Sequence, residues 1–303
     1  MSVHIEKSVW LAMIEDNLFD NMAIKSVKKG LKDDSAYRNA ATVVIPNAGS
    51  PAVVTMGNDT YPVSIGRRDD QPQFYHMTNL EVGPVLVQYK EEIQIAYNKA
   101  ESILNDSLQG IGLKAARKIL HGQYDKEQDY VETSGDSVGV GHAPGCTAAM
   151  QGITFEDVRN AVAKLAKQDV DGEFELFIDT TMYFQLLADL QEYGNYTFPD
   201  EKVGFKMPNI NNVNVYRLTN LLYADASRNI RDIDNTTGAT TDKAVALLVS
   251  KKATSYAMDA IQAFVEPNKT DYFGATYSMT TWVGGKYRRL DKKGVVPIVQ
   301  AAV

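Results

Sequence analysis

Residues 150–190 read MQGITFEDVRNAVAKLAKQDVDGEFELFIDTTMYFQLLADL, and their pattern decides the fold more than any other stretch. Thr154, with Asp157 three residues on, has the spacing of a capping box. Val158, Val162 and Leu165 then mark one face of a helix, which Asp169 to Gly172 ends. Phe174, Leu176 and Ile178 alternate as a strand. Asp179 or Thr180 caps a second helix running to about Glu192, with Phe184, Leu187 and Leu190 expected inward. The unit is helix–strand–helix.

Toward the N-terminus, residues 41–90 contain no convincing helix. ATVVIP, AVVTM, YPVSI, QFYHM and VLVQ are short β-rich runs, separated by turn residues at Asn47–Pro51, Gly57–Asp59 and Gly66–Asp70. They predict one or two long hairpins. Pattern alone favours a sheet of the main core, because exposed edge strands invite aggregation; a β-arm that projects and pairs with another subunit is the alternative. Before them, Trp10, Ile14 and Leu18 predict a short amphipathic helix over 8–19. The polar residues around Lys28-Lys29-Gly30 and Lys32-Asp33-Asp34 are read as its break. A long helix is predicted over 93–121 from Leu104, Leu108, Ile111, Ala115 and Ile119, with Gly122 as its stop.

Toward the C-terminus, 124–146 and 223–241 read as loops and 203–216 as strands. Ala244 to Val249 reads as a buried strand, and Thr254 to Ala260 as a site for a short helical turn. The tail alternates from Ala275 to Arg288, turns at Asp291–Gly294 and ends in VVPIVQAAV. The class is α+β.

The bulk numbers are those of a globular chain. It has 303 residues, 44% hydrophobic and 23% charged, enough to bury a sizeable core. A net charge of −7 argues against a protein that grips nucleic acid with its whole surface, and leaves room for a local basic face. Cys146 is the one cysteine, so no disulfide forms within the chain. The apolar stretch Val9 to Ile14 is cut off by Glu15 and Asp16, too short for a secretory core. No apolar run approaches the roughly 18 residues of a membrane span.

Motifs that carry chemistry are weak. His142 and Cys146 form a pair where zinc needs three or four ligands, and His4, His76 and His121 lie far off in sequence. Gly139–Gly145 lacks the Gly-Lys-Ser/Thr ending of a phosphate loop and the flanking strand and acid of a dinucleotide site. Asp169–Gly172 starts like a calcium loop, but Phe174, Leu176 and Phe177 stand where oxygen ligands belong. The adjacent pairs Asp33-Asp34, Asp69-Asp70 and Glu91-Glu92 diverge in helix or strand, so they do not suggest acid–base work. The residues point to no cofactor, no metal and no catalytic group. This favours a structural protein over an enzyme.

The order of pieces resembles the major capsid proteins of tailed bacteriophages, which share the Hong Kong 97 capsid fold. SVWLAMIEDNLFDN is similar to the N-terminal arm helix of that family, and ATVVIPNAG with YPVSIGRRDDQPQFYHMTNLEVGPVLVQ to its extended β-hairpin loop. IQIAYNKAESIL resembles the start of the spine helix, the helix–strand–helix run the axial domain, and TDYFGATYSMTTWVGGKYRRLDKKGVVPIVQA the closing strands of the peripheral domain. The resemblance implies an arm over 1–40, an extended loop over 41–92, the spine and first part of the peripheral domain over 93–150, an axial domain over 151–255 and returning peripheral strands over 256–303.

It also implies hexamers and pentamers of the chain itself, tiled into an icosahedral shell around double-stranded DNA held without sequence-specific binding. Portal, scaffold and decoration proteins are the implied further partners. The implied place is the virion, assembled in the host cytoplasm without a membrane. The hairpin would lie over a neighbouring subunit, which answers the edge-strand problem. With the arm helix starting near Met1, a separate scaffold or none is expected. Between Lys32 and Lys90 there is no lysine, so the hairpin-lysine weld known in some relatives is not expected here. Trp10, Leu18, Phe74 and Tyr75 are the expected apolar anchors between subunits. Arg67 and Arg68 beside Asp69 and Asp70 are candidates for pairing between subunits, or for a solvated hairpin tip. Two other readings stand beside this one: a cellular nanocompartment shell of the same fold, and a soluble enzyme using the glycine-rich loop 136–146.

Overall fold

The computed structural model describes residues 22–46, 56–59, 61, 70–88, 99–192, 205–206, 213–219, 221–233 and 238–303. In chain order the first elements are α1 (Met22–Gly30), β1 (Arg38–Asn39), β2 (Thr42–Ile45), β3 (Gln73–His76), β4 (Thr78–Gln88) and α2 (Lys99–His121). Then come β5 (Val131–Glu132), α3 (Phe155–Lys167), β6 (Phe174–Asp179), α4 (Thr180–Glu192), β7 (Phe205–Lys206), β8 (Val213–Leu218) and β9 (Leu222–Ala224). The last are β10 (Lys243–Ser250), β11 (Thr254–Met258), β12 (Gln262–Lys269), β13 (Gly274–Tyr287) and β14 (Val295–Val299).

A mixed central sheet runs β5-β14-β10-β6-β8-β7, with β9 taking the first part of one edge of β10 and β6 the rest. β6 is buried at all six positions. Side chains alternate along a strand, so β6 feeds two cores. Phe174, Leu176 and Ile178 meet Val158, Ala161 and Leu165 of α3 and Met182, Leu186 and Leu190 of α4. Phe177 points to the other face, with Ile24 and Val27 of α1 and Ala115, Ile119 and Leu120 of α2. β10 divides the same way, Ala246 and Leu248 to one side and Leu247 and Val249 to the other. A strand covered on both faces reads as a continuous apolar run, which is why AVALLV carries no alternation.

The helix–strand–helix unit forms as its caps predict. Thr154 Oγ1 accepts from the Asp157 amide at 3.3 Å, and the Thr154 amide donates to Asp157 Oδ2 at 2.9 Å. Asp157 also accepts from the Ser134 hydroxyl at 2.6 Å, tying the preceding loop to the helix start. Asp179 caps α4 by accepting from the Thr181 amide at 3.1 Å. The inward face of α4 differs from the expected one. Met182, Leu186, Leu187 and Leu190 are buried, whereas Phe184 is 55% exposed. Position 184 falls about 200° round the helix from Met182 and so on the opposite side.

A second sheet has β13 at its centre. β11 and then β12 pair with one edge of it, and β4 runs along the other. Leu108 and Ile111 of α2 cover one face, against Val82, Ala263, Val265, Tyr277 and Met279. Two expectations are corrected here. Thr254–Met258 is a strand, registered from Thr254↔Tyr287 to Met258↔Val283, and a 3-10 turn, Lys251–Ala253, lies just before it. TSYAM has one β-branched and one aromatic residue, Thr254 and Tyr256, and pairing with β13 decides its conformation. Residues 78–88, read as part of the hairpin, belong to this sheet as β4.

The stretch 28–30, read as a break, is the end of helix α1. Ile24, Val27 and Leu31 form its buried face, and Lys28 and Lys29 lie in the last turn, where cations favour the helix dipole. Gly30 serves a close approach: a Cβ there would lie 2.7 Å from Phe177 Cζ. Gly122, just beyond α2, is required in the same way, because its Cβ would lie 1.9 Å from the Gly285 carbonyl oxygen. The expected helix over 8–19 lies outside the described residues.

Candidate assembly surfaces

β1, β2 and β3 form a small antiparallel sheet, the stem of the hairpin, with Val44 directly opposite Phe74. Strand alternation splits it into two faces. The inner face holds Val43, Ile45 and Tyr75, packed with Met77 and Ala257 of the body. Tyr75 is 6% exposed, its hydroxyl lies 3.2 Å from Ser255 Oγ, and burial pushes its phenol up to about 12. Tyr75, expected as an anchor between subunits, therefore packs within its own chain. The outer face shows Val44 at 40% and Phe74 at 58% exposure, with the His76 ring edge-on to Phe74 at 6.1 Å. Thr42 Oγ1 lies 3.1 Å from His76 Nδ1 beside them.

Polar ties hold the stem to the body. Arg38 pairs with Asp259, and Arg288 with the fully buried Asp34. The Met258 amide donates to Ser35 Oγ at 3.2 Å, and Lys286 Nζ donates to the Phe74 carbonyl at 3.4 Å. The stem thus has a fixed base, and its outer strip at Val44 and Phe74 is open to solvent. Trp10, Leu18, Arg67 and Arg68 lie outside the described residues.

Other apolar side chains also reach solvent, among them three groups. Phe264 and Trp282 lie on the second sheet, on the face away from α2. Thr280 Oγ1 donates to Asn79 Oδ1 at 2.6 Å between them. Tyr272 and Phe273 sit at the tip joining β12 to β13, and Phe273 has φ +49, an uncommon conformation for a bulky residue. Phe184 on α4 is exposed beside Tyr183, with the Arg217 guanidinium 5.8 Å from both rings. No sequence period marks these residues, since exposure depends on which neighbour covers a face.

The C-terminal part of the glycine-rich loop is packed, with Ala143 and Cys146 buried beside Met150, whereas Val140 is exposed. A Cβ on Gly141 would lie 2.7 Å from both Cys146 Sγ and Met150 Cγ. Cys146 Sγ donates to the Thr240 carbonyl at 3.3 Å, and His142 Nε2 lies 2.7 Å from Gln185 Nε2. Close by, Arg231 and Asp242 form a bidentate pair, with Asp242 buried. His121 Nε2 contacts the Arg231 carbonyl at 3.2 Å, and burial lowers its pKa. Among the described residues, no three His, Cys, Asp or Glu side chains are grouped to hold a metal. No helix among them is long and apolar enough to cross a membrane.

No family model and no curated protein matches the sequence. Solved structures do. The capsid of Ralstonia phage GP4 is 13% identical with a TM-score of 0.57, over 94% of this chain and 89% of that one. A chain of Mycobacterium phage Che8 is 16% identical with a TM-score of 0.54, over 87% and 85%. A virus-like particle from Pyrococcus furiosus is 9% identical with a TM-score of 0.55, over 95% and 96%. The chain has the fold of tailed-phage major capsid proteins.

Proposed function

We propose that this chain is the major capsid protein of a tailed bacteriophage, of the Hong Kong 97 type, and that it builds an icosahedral shell around double-stranded DNA. The observation that carries the reading is the similarity to phage capsids along almost the whole chain, rather than over one domain. The helix–strand–helix unit and β10 make up the axial domain, within 151–255. The second sheet and α2 make up the peripheral domain and spine, and the stem is the base of the extended loop. Residues 1–40 are the arm, of which α1 docks on its own core. Subunits meet through Trp10, Leu18 and the outer strip at Phe74, with Arg67 and Arg68 pairing near the hairpin tip. Portal, scaffold and decoration proteins are its further partners in the virion, and assembly takes place in the host cytoplasm.

Electron microscopy of the expressed protein tests this. Rings or closed shells are expected; a lone 33.5 kDa monomer would overturn it. Because the hairpin has no lysine between Lys32 and Lys90, the shells should be non-covalent, and boiled particles should run as single chains on a denaturing gel. A cellular nanocompartment shell is the second reading, favoured by the likeness to the Pyrococcus particle. A neighbouring cargo-enzyme gene, in place of portal and terminase genes, would decide for it.

A further inference from the structure

The net charge of −7 hides an uneven distribution. On α1, the inward positions are Ala23, Ile24, Ser26, Val27 and Gly30, with Leu31 just beyond. The exposed positions Lys25 and Lys29, the half-buried Lys28 and, just beyond, the exposed Lys32 are all lysine. The helix is mostly apolar on one side and cationic on the other.

Two further elements extend this face. α1 and α2 lie on the same side of the central sheet, since Ile24 and Val27 share a core with Ala115, Ile119 and Phe177. α3 and α4 lie on the opposite side. The outward positions in the last turns of α2 are Lys114, Arg117 and Lys118. The exposed Lys251 and Lys252 follow β10, and Lys251 Nζ donates to the Lys29 carbonyl at 2.9 Å. Among the described residues, Lys25, Lys29, Lys32, Lys118, Lys251 and Lys252 form no ion pair with a carboxylate. Among the described residues, carboxylates that act electrostatically at this face include Asp33 on Lys28, Asp232 on His121 and the buried Glu175 with Lys251.

We infer that the face formed by α1, the end of α2 and the Lys251-Lys252 turn binds the phosphate backbone of duplex DNA, and so faces the lumen of the shell. The identity of the polyanion rests on the capsid reading. Two features favour nucleic acid over an acidic protein. The cations are spread over three elements, as contacts to a continuous backbone require. Protein interfaces also need apolar or aromatic anchors at their centre. None of the large exposed apolar side chains among the described residues lies on α1, α2 or that turn.

The test compares the full-length protein with a variant carrying Lys25→Gln, Lys29→Gln, Lys32→Gln and Lys252→Gln. These positions are exposed and glutamine keeps the helix, so circular dichroism should be unchanged. Binding to a labelled duplex of about 30 base pairs is measured between about 50 and 200 mM salt. The wild type should show a steep log–log salt slope, shallower by about 3–4 in the variant, with affinity down at least about tenfold at low salt. Equal slopes would overturn the inference. So would a wild type that ignores duplex DNA and binds polyglutamate, which would indicate an acidic protein partner. Particle formation is scored separately by electron microscopy. A slope difference without shells would support the basic face and sink the capsid reading; shells with equal slopes would do the reverse.

Discussion

The strands of the central sheet and those of the hairpin stem are built from the same kinds of residue, yet they meet different surroundings. β6 and β10 are covered on both faces by elements of their own chain. The stem is covered on one face only, and its other face presents Val44 and Phe74 to solvent. The central sheet completes itself when the chain folds. The stem has strands of at most four residues and would be marginal alone; it is steadied by ties to β11 and β13. On the capsid reading proposed above, a partner subunit completes its outer strip. Apolar burial drives both folding and association, and the difference lies in which molecule supplies the cover.

That contrast can be broken by mutation. The largest effect is expected at Phe177→Ala, where a fully buried ring stacked on Tyr216 at 5.5 Å is lost from the central sheet. The loss should be about 3–5 kcal/mol, read by denaturant unfolding. Arg288→Ala, at the base of the stem, strands the buried Asp34 carboxylate and should cost about 3 kcal/mol. If it costs nothing, the stem is not held by that pair. Thr154→Ala removes the side-chain half of the capping box and should cost about 1 kcal/mol by the same measurement.

Glu175 gives a pH-dependent effect inside the central sheet. Burial raises its carboxyl above the ordinary carboxylate range, against the weaker opposing effect of the hydrogen bond from Asn214 Nδ2 at 3.2 Å. A carboxyl whose folded pKa exceeds its unfolded one contributes stability at low pH, and that contribution is lost as pH rises through the folded value. Glu175→Gln should therefore raise the Tm near pH 7 and leave it unchanged near pH 4. A variant less stable at neutral pH would refute this.

The smallest effect on the subunit sharpens the contrast most. Val44→Ser with Phe74→Ser changes an exposed strip, so subunit stability should move by no more than about 0.5 kcal/mol. Particle formation should nevertheless fall sharply by electron microscopy or sedimentation. A variant that assembles normally would remove the strip from the interface.

Legibility followed the range of the interaction. The capping box at Thr154 and Asp157 is local, and it formed as its spacing predicts. Ala244 to Val249 was legible as a buried strand because its run is apolar without interruption. Thr254–Met258 was misread, since a stretch of five residues has no period of its own and takes its conformation from β13. Lys28-Lys29-Gly30 looked like a break because the glycine's reason lies on Phe177, far away in sequence. Phe184 and Tyr75 were misplaced for a related cause. Both are aromatic residues in regular elements, and only packing decides which of them is covered.

By itself the sequence determined the mixed helix and sheet class, the helix–strand–helix unit and the long helix, because caps, turns and periodicities act within a few residues. The tertiary structure decided that 78–88 belongs to the second sheet and that α1 docks on the core. It also gathered the lysines of three separate segments on one face. These depend on contacts between residues far apart in the chain, whose partners no local pattern encodes.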